Sequence, residues 1–167
     1  MSAPATDLLS KAAVLEALPD HPAIKALLDF NPEALADARF DRGELTLTIA
    51  PELIRGAANA VKAAGYNAFE DATAVDWFPS TPRFQVSYHI TSHAHKERIR
   101  LRVMIPSEAP VVETVTDVWP GANYYEREVF DLFGIRFEGH PNLRRIMMPD
   151  DWNGHPLRKD YPVEGYR

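Results

Sequence analysis

The pair His93-Ala94-His95 is the sequence's nearest approach to a metal site. In an extended stretch, residues two apart project to one side, and two neutral imidazoles begin a zinc-type ligand set. A third ligand is missing locally, and in the polar connection of a hairpin exposed histidines are the ordinary outcome. A stand-alone metal-dependent enzyme using His93, His95 and a carboxylate is therefore the weaker of two functional hypotheses. His89 falls in a strand pattern, while His140 and His155 each precede a proline; hydrogen bonds that fix a turn or an interface account for all three. Glu126 and Glu128 flank Arg127, and Asp150-Asp151 form a carboxylate pair that in principle does acid–base work. Neighbours in sequence do not face each other on a helix, and no Ser, Thr or Lys sits in a nucleophile motif. Capping, salt bridges and arginine pairing suffice for these carboxylates. Gly134, Gly139 and Gly154 are isolated, with neither a G-x-G-x-x-G nor a G-x-x-x-x-G-K-[ST] cradle, so nucleotide binding lacks support.

The absence of cysteine is the most informative count. Iron–sulfur clusters are held mainly by cysteine thiolates and structural zinc usually needs several, so this chain holds no cluster by itself. A net charge of −6 argues against nucleic acid as a partner, because phosphate binding rests on Lys and Arg displacing counterions. With 167 residues, 46% hydrophobic and 25% charged, the chain is long enough for one folded domain plus an appendage. No window approaches eighteen consecutive apolar residues, and the first residues lack the basic-then-apolar order of a secretory signal, which places the expected location in the cytoplasm.

The elements that must position these groups follow from periodicity. Apolar residues three and four apart predict a helix over residues 6–18, and a second over 23–30 after Pro19 and Pro22. Asp41, Arg42 and Gly43 supply a turn before an alternating strand over 44–49. Pro51 opens a helix with Ile54, Ala57, Ala58 and Val61 on one face and Gly65 past its end. Strands follow at 68–78, 83–92 and 99–105, the last two joined as a hairpin by a polar connection. Strands grouped after a helix favour an α+β fold, a mainly antiparallel sheet covered by helices. A further helix spans 122–133, with Asn123 as N-cap and Glu126 three residues on, an Arg127–Asp131 pair, an apolar stripe of Tyr125, Val129, Leu132 and Phe133, and Gly134 as its stop.

Residues 1–134 then read as an α+β globular domain and 135–167 as an extended C-terminal arm that binds a partner. The arm has no sustained period and carries Pro141, Pro149, Pro156 and Pro162, so it builds no core alone. Its Phe137, Leu143, Ile146, Met147, Met148, Trp152, Leu157, Tyr161 and Tyr166 are too many for a solvated tail. Arg144, Arg145, Arg158 and Lys159 make it basic within an acidic chain, which suits an acidic partner surface.

The stretch YEREVFDLFGIRFEGHPNLRRI, residues 125–146, followed by MPDDWNGHPLRKDYP, residues 148–162, closely resembles the signature of the respiratory complex I 30 kDa subunit family. TDVWPGANY, residues 116–124, is similar to that family's approach to the helix, and Asp76-Trp-Phe-Pro and Arg83-Phe-Gln-Val-Ser-Tyr-His-Ile look family-like. The resemblance implies a non-redox peripheral-arm subunit of a proton-translocating NADH:quinone oxidoreductase. It would lie on the cytoplasmic side of the bacterial inner membrane, reaching the membrane only through the complex and packing against the terminal-cluster and quinone-site subunits. FMN, iron–sulfur clusters and quinone would belong to other subunits, with no cofactor and no catalytic residue here. The signature residues are then expected at partner interfaces: Glu126, Arg127, Glu128, Asp131 and Gly134 on the helix, His140, Pro141, Arg144 and Arg145 after it, and Trp152, His155, Arg158, Lys159 and Tyr161 in the tail. Related membrane hydrogenases share the signature, so the resemblance does not fix the electron donor.

Overall fold

A computed structural model describes residues 7–164. Helix α1 (Lys11–Ala17) begins where the Ser10 hydroxyl accepts from the Ala13 N–H. It is shorter than the pattern suggests, because Leu8 instead pairs with Phe40 through two backbone bonds of 2.7 Å and extends the sheet edge. The expected start at Thr6 and the arm's residues 165–167 lie outside the described residues. Helix α2 (Pro22–Phe30) packs against α3 (Ile54–Ala63), where Gly56 leaves room for the Phe30 ring.

Strand β1 (Leu35–Asp41) has no clean alternation in sequence, because a register shift lies between Leu35 and Asp37 and one inward residue is only Ala38. It turns into β2 (Glu44–Ile49) through Arg42 and Gly43, with φ of 51° and 82°, the positive pair that a two-residue hairpin requires. Strands β3 (Ala68–Asp76), β4 (Phe84–Ser92) and β5 (Glu97–Ile105) follow α3, and the sheet order is β1-β2-β5-β4-β3. Within this sheet only the β2–β5 pair is parallel, so the α+β, mainly antiparallel expectation holds. Strict alternation sends Leu45, Leu47, Tyr88, Leu101 and Val103 into one core with Ile24, Leu27, Ile54 and Val61 of the helices. The opposite sheet face carries Thr46, Thr48, Ser87, His89, Arg100 and Arg102.

A small parallel ribbon, β6 (Val111–Glu113) with β7 (Arg136–Glu138), flanks helix α4 (Ala122–Phe133); strands of three residues leave too few positions for a period to be read. Two local expectations for α4 are corrected. Its N-cap is Gly121, already in helical conformation and without a side-chain capping bond, so Asn123 is inside the helix. Arg127 and Asp131 do not pair, because each has non-local partners with better geometry. Gly134, at φ 74°, closes the helix with its N–H on the Phe130 carbonyl, as expected. Among the described residues no helix is long and apolar enough to cross a membrane.

Candidate functional site

Four donors converge on the Asp131 side chain at the end of α4. One carboxylate oxygen accepts from the successive N–H groups of Ile146, Met147 and Met148 at 2.9, 2.8 and 2.9 Å, and the other accepts from Arg145 at 2.6 Å. The side chain is wholly buried. Burial acts to raise the carboxyl's pKa, but the Met148, Ile146 and Met147 amides and Arg145 outweigh it, and the group ends below the usual carboxylate range. Arg145 also donates to the carbonyls of Trp152 and Gly154, each at 3.1 Å, while Arg127 holds the carbonyls of Arg144 and Arg145 at 3.2 Å. Asp131 and Arg127 therefore fold residues 144–154 into a loop against α4.

The same segment completes the helix end. A helix leaves its last carbonyls without internal partners. Here His155 Nδ1 donates to the Asp131 carbonyl at 2.8 Å, the Leu157 N–H to that of Leu132 at 3.0 Å, and Arg158 to that of Phe133 at 2.6 Å. A cation at this end also suits the helix dipole. Gly134 is needed here twice, for its positive φ and because a Cβ would lie 2.6 Å from His155 and 2.7 Å from Arg158.

A second fastening lies at the ends of β3 and β4. Buried Asp76 receives a bidentate pair from Arg83 at 2.8 and 2.7 Å, plus the N–H of Phe78 at 2.9 Å and of Lys159 at 2.8 Å. Arg83, against the rings of Phe78 and Phe84, reaches on to Asp160 at 2.9 and 2.7 Å. The Arg83 bonds, opposed by burial and aided by the two amides, lower the Asp76 carboxyl to about 2. The family-like stretches contain both residues, yet no spacing rule announces their pairing across the sheet end with the arm.

The remaining signature residues fall into two groups. Glu126 is fully buried, accepting from the Val115 N–H at 2.8 Å and from the Thr114 hydroxyl, and burial raises it to about 7 against those two donors. His140 bridges the Asn123 carbonyl and the Asn142 N–H, which requires a neutral ring with its proton on Nε2. Tyr161 donates to the Asn153 carbonyl at 3.4 Å. Glu128, Pro141, Arg144, Trp152 and Lys159 lie on the surface. So do Ile146, Met147 and Leu157, with 38%, 61% and 50% of their surface exposed although their backbones are fixed by the bonds above.

His93 and His95 sit in a tight turn, not an extended stretch; His95 Nε2 lies 2.9 Å from the Ala64 carbonyl and its ring rests against Tyr66. Among the described residues no group of three or more His, Asp or Glu is arranged to hold a metal. Asp150 and Asp151 are exposed in a turn.

The fold and site thus define a small α+β domain with a long C-terminal segment fastened onto its last helix and sheet end. Residues 47–167 match the family model for the respiratory-chain NADH dehydrogenase 30 kDa subunit, and the chain belongs to that family. It is 45% identical over 148 residues to the C subunit of the NADH-quinone oxidoreductase of Roseiflexus castenholzii, covering 86% of this chain and 85% of the relative. The Geobacter sulfurreducens protein of the same name is 46% identical over 134 residues, covering 79% and 83%. Among solved structures, a trypsin-resistant fragment of Nqo5 superposes with a TM-score of 0.64 at 33% identity, over 73% of this chain and 99% of that one. A chain of the membrane-bound sulfane sulfur reductase, an archaeal respiratory membrane complex, gives a TM-score of 0.73 at 28% identity, over 84% of each. Its enzymatic role is that of one component within a multi-subunit respiratory oxidoreductase.

Proposed function

We propose that the chain is the non-redox peripheral-arm subunit of a proton-translocating NADH:quinone oxidoreductase, with residues 135–167 acting as the arm that docks onto the terminal-cluster and quinone-site subunits. Electrons would pass from NADH through FMN and iron–sulfur centres of other subunits to quinone, and this chain would hold those subunits in register on the cytoplasmic side of the bacterial inner membrane. The observation that carries the docking role is the Asp131 clamp, which fixes the backbone of residues 146–148 while leaving Ile146 and Met147 in solvent. Ordering apolar side chains at a surface costs entropy and gains nothing until a partner covers them. An arm fastened in advance spares the complex that ordering cost at the moment of binding.

Within this reading the signature residues divide their labour. Arg127, Asp131, Gly134, His155 and Arg158 shape the arm and Glu126 fixes the loop before the helix, whereas Glu128, Pro141, Arg144, Trp152 and Lys159 face outward. The experiment is a paired substitution in native membranes. Met147→Ser with Trp152→Ser should leave the isolated chain folded and lower its recovery in NADH:quinone reductase assemblies at least tenfold. Normal recovery and activity would contradict the docking role.

A further inference from the structure

The polar face of the sheet is graded in charge along strand β5, whose charged outward residues are Arg98, Arg100 and Arg102. Arg98 pairs with Glu44 and, at 3.6 Å, Glu70. Arg100 donates to Glu44 at 2.6 Å, to His89 at 2.8 Å and to Thr46 at 3.2 Å. Arg102 instead spends two donors, at 3.0 and 2.7 Å, on one neutral hydroxyl, that of Thr48. Its nearest carboxylate, Asp37, stands 3.7 Å away and is also engaged by Arg39 at 3.3 Å.

Yet Arg102 is no surface cation: its side chain is 22% exposed, and Thr46, Thr48 and Ser87 beside it are buried. It lines a recess of about 680 Å³ on the sheet face. The recess contains four arginines, Arg39, Arg42, Arg100 and Arg102, against Asp41 and Glu44 on its wall and Asp37 beside Arg39 and Arg102, so arginine exceeds carboxylate there by one in a chain of net charge −6. Burial disfavours the Arg102 charge, Arg39 adds repulsion, Asp37 relieves part of it and Arg100 adds more. A guanidinium in such a setting is suited to a carboxylate that binds it side-on through two parallel bonds.

We propose that this open sheet face is a second assembly surface, on which Arg102 receives a carboxylate from an acidic segment of a neighbouring subunit. The inference rests on the reading of the chain as one component of a complex, and it places a contact on the sheet face that β1 to β5 share, separate from the arm. A polypeptide is the occupant because the recess is broad, open and floored by the hydroxyls of Thr46, Thr73 and Ser87, which can bond a backbone on either side of the ion pair, while the Gln85 amide is held between Ser87 and Trp77.

The test uses the assembled complex. Arg102→Lys places an amine in the recess, and a water-soluble carbodiimide then joins amines to carboxylates with no spacer. The expected product, read by peptide mass analysis, links position 102 to an Asp or Glu of another polypeptide. In the unmodified complex, phenylglyoxal should modify Arg102 about tenfold more slowly than in the isolated full chain, a measurement that needs no substitution. Links confined to Asp37 or Glu44 of the same chain, with equal phenylglyoxal reactivity in both states, would overturn the proposal. If no other polypeptide accompanies the chain, the subunit reading itself fails; if partners accompany it but position 102 is neither linked nor protected, only the second surface fails.

Discussion

The sheet and the C-terminal segment are held by different physics. Between Leu35 and Ile105 order in the sheet comes from alternation: the central strands β2, β5 and β4 send every second side chain into a core where Leu47, Tyr88, Leu101 and Val103 are fully buried. From residue 139 to 164 there is no helix or strand, and order comes from two buried carboxylates, Asp131 and Asp76, that gather backbone N–H groups and arginines. Area burial is distributed and tolerant, whereas a polar clamp is concentrated in a few atoms. Ile135 and Phe137 join the core and Leu143 packs against it, but the arm keeps Ile146, Met147, Trp152 and Leu157 for a partner, because the clamps hold their backbone without burying them.

The contrast is broken most directly by Asp131→Asn. Removing one charge from a buried, hydrogen-bonded pair costs about 3–5 kcal/mol, and here the loss should fall on the arm. Trypsin should then cut after Arg144 and Arg145 at least tenfold faster than in the unaltered chain, while strand amides stay protected from exchange. Leu101→Ala should do the reverse, lowering global stability by about 2–5 kcal/mol in a denaturant titration without a selective increase in cleavage of the arm.

Glu126 sharpens the comparison, since it is a third buried carboxyl with too few donors to keep it ionised. Its folded pKa, raised to about 7, lies above its unfolded value, so it opposes folding increasingly as pH rises from about 4.5 to 7 and by a constant amount above that. Glu126→Gln should gain on the unaltered chain across that window, by on the order of 1–3 kcal/mol at neutral pH, in paired melts at several pH values. Asp76 has the opposite sign: its stabilisation is complete above its unfolded pKa and is lost as pH falls toward about 2. The smallest effect is expected for Arg144→Ala, within about 0.5 kcal/mol of the unaltered stability because its side chain is exposed. Its consequence should appear in recovery of the complex instead.

Most of the sheet and all the longer helices are legible in the sequence because periodicity is local: α4, the β4–β5 hairpin and the Arg42-Gly43 turn each announce themselves within a dozen residues. Strand β1 escapes because a bulge interrupts its alternation, and β6 and β7 because three residues carry no period. The arm's aromatic and basic content is visible, but its fastening is not. Asp131 stands four residues after Arg127, and the helical spacing rule therefore suggests a pair between them. Each has instead a partner 14 to 18 residues further along the chain. Asp76 and Lys159 meet across 83 residues. Such contacts are products of the tertiary fold and leave no spacing to read. Glu126 shows the same limit, since the spacing that suggests a cap instead takes its carboxyl to Val115 in the preceding loop.

Hydrogen exchange of the Ile146, Met147 and Met148 amides in the isolated full-length chain tests most directly whether the arm is fastened before any partner is met. Protection on the order of a hundredfold or more is expected for all three together, as for amides bonded to a buried carboxylate, and Asp131→Asn should abolish it while strand amides stay protected. Exchange of these three amides at the rate of an unstructured peptide, in a chain whose β4 and β5 amides are protected, would contradict it and make the arm's order a product of assembly.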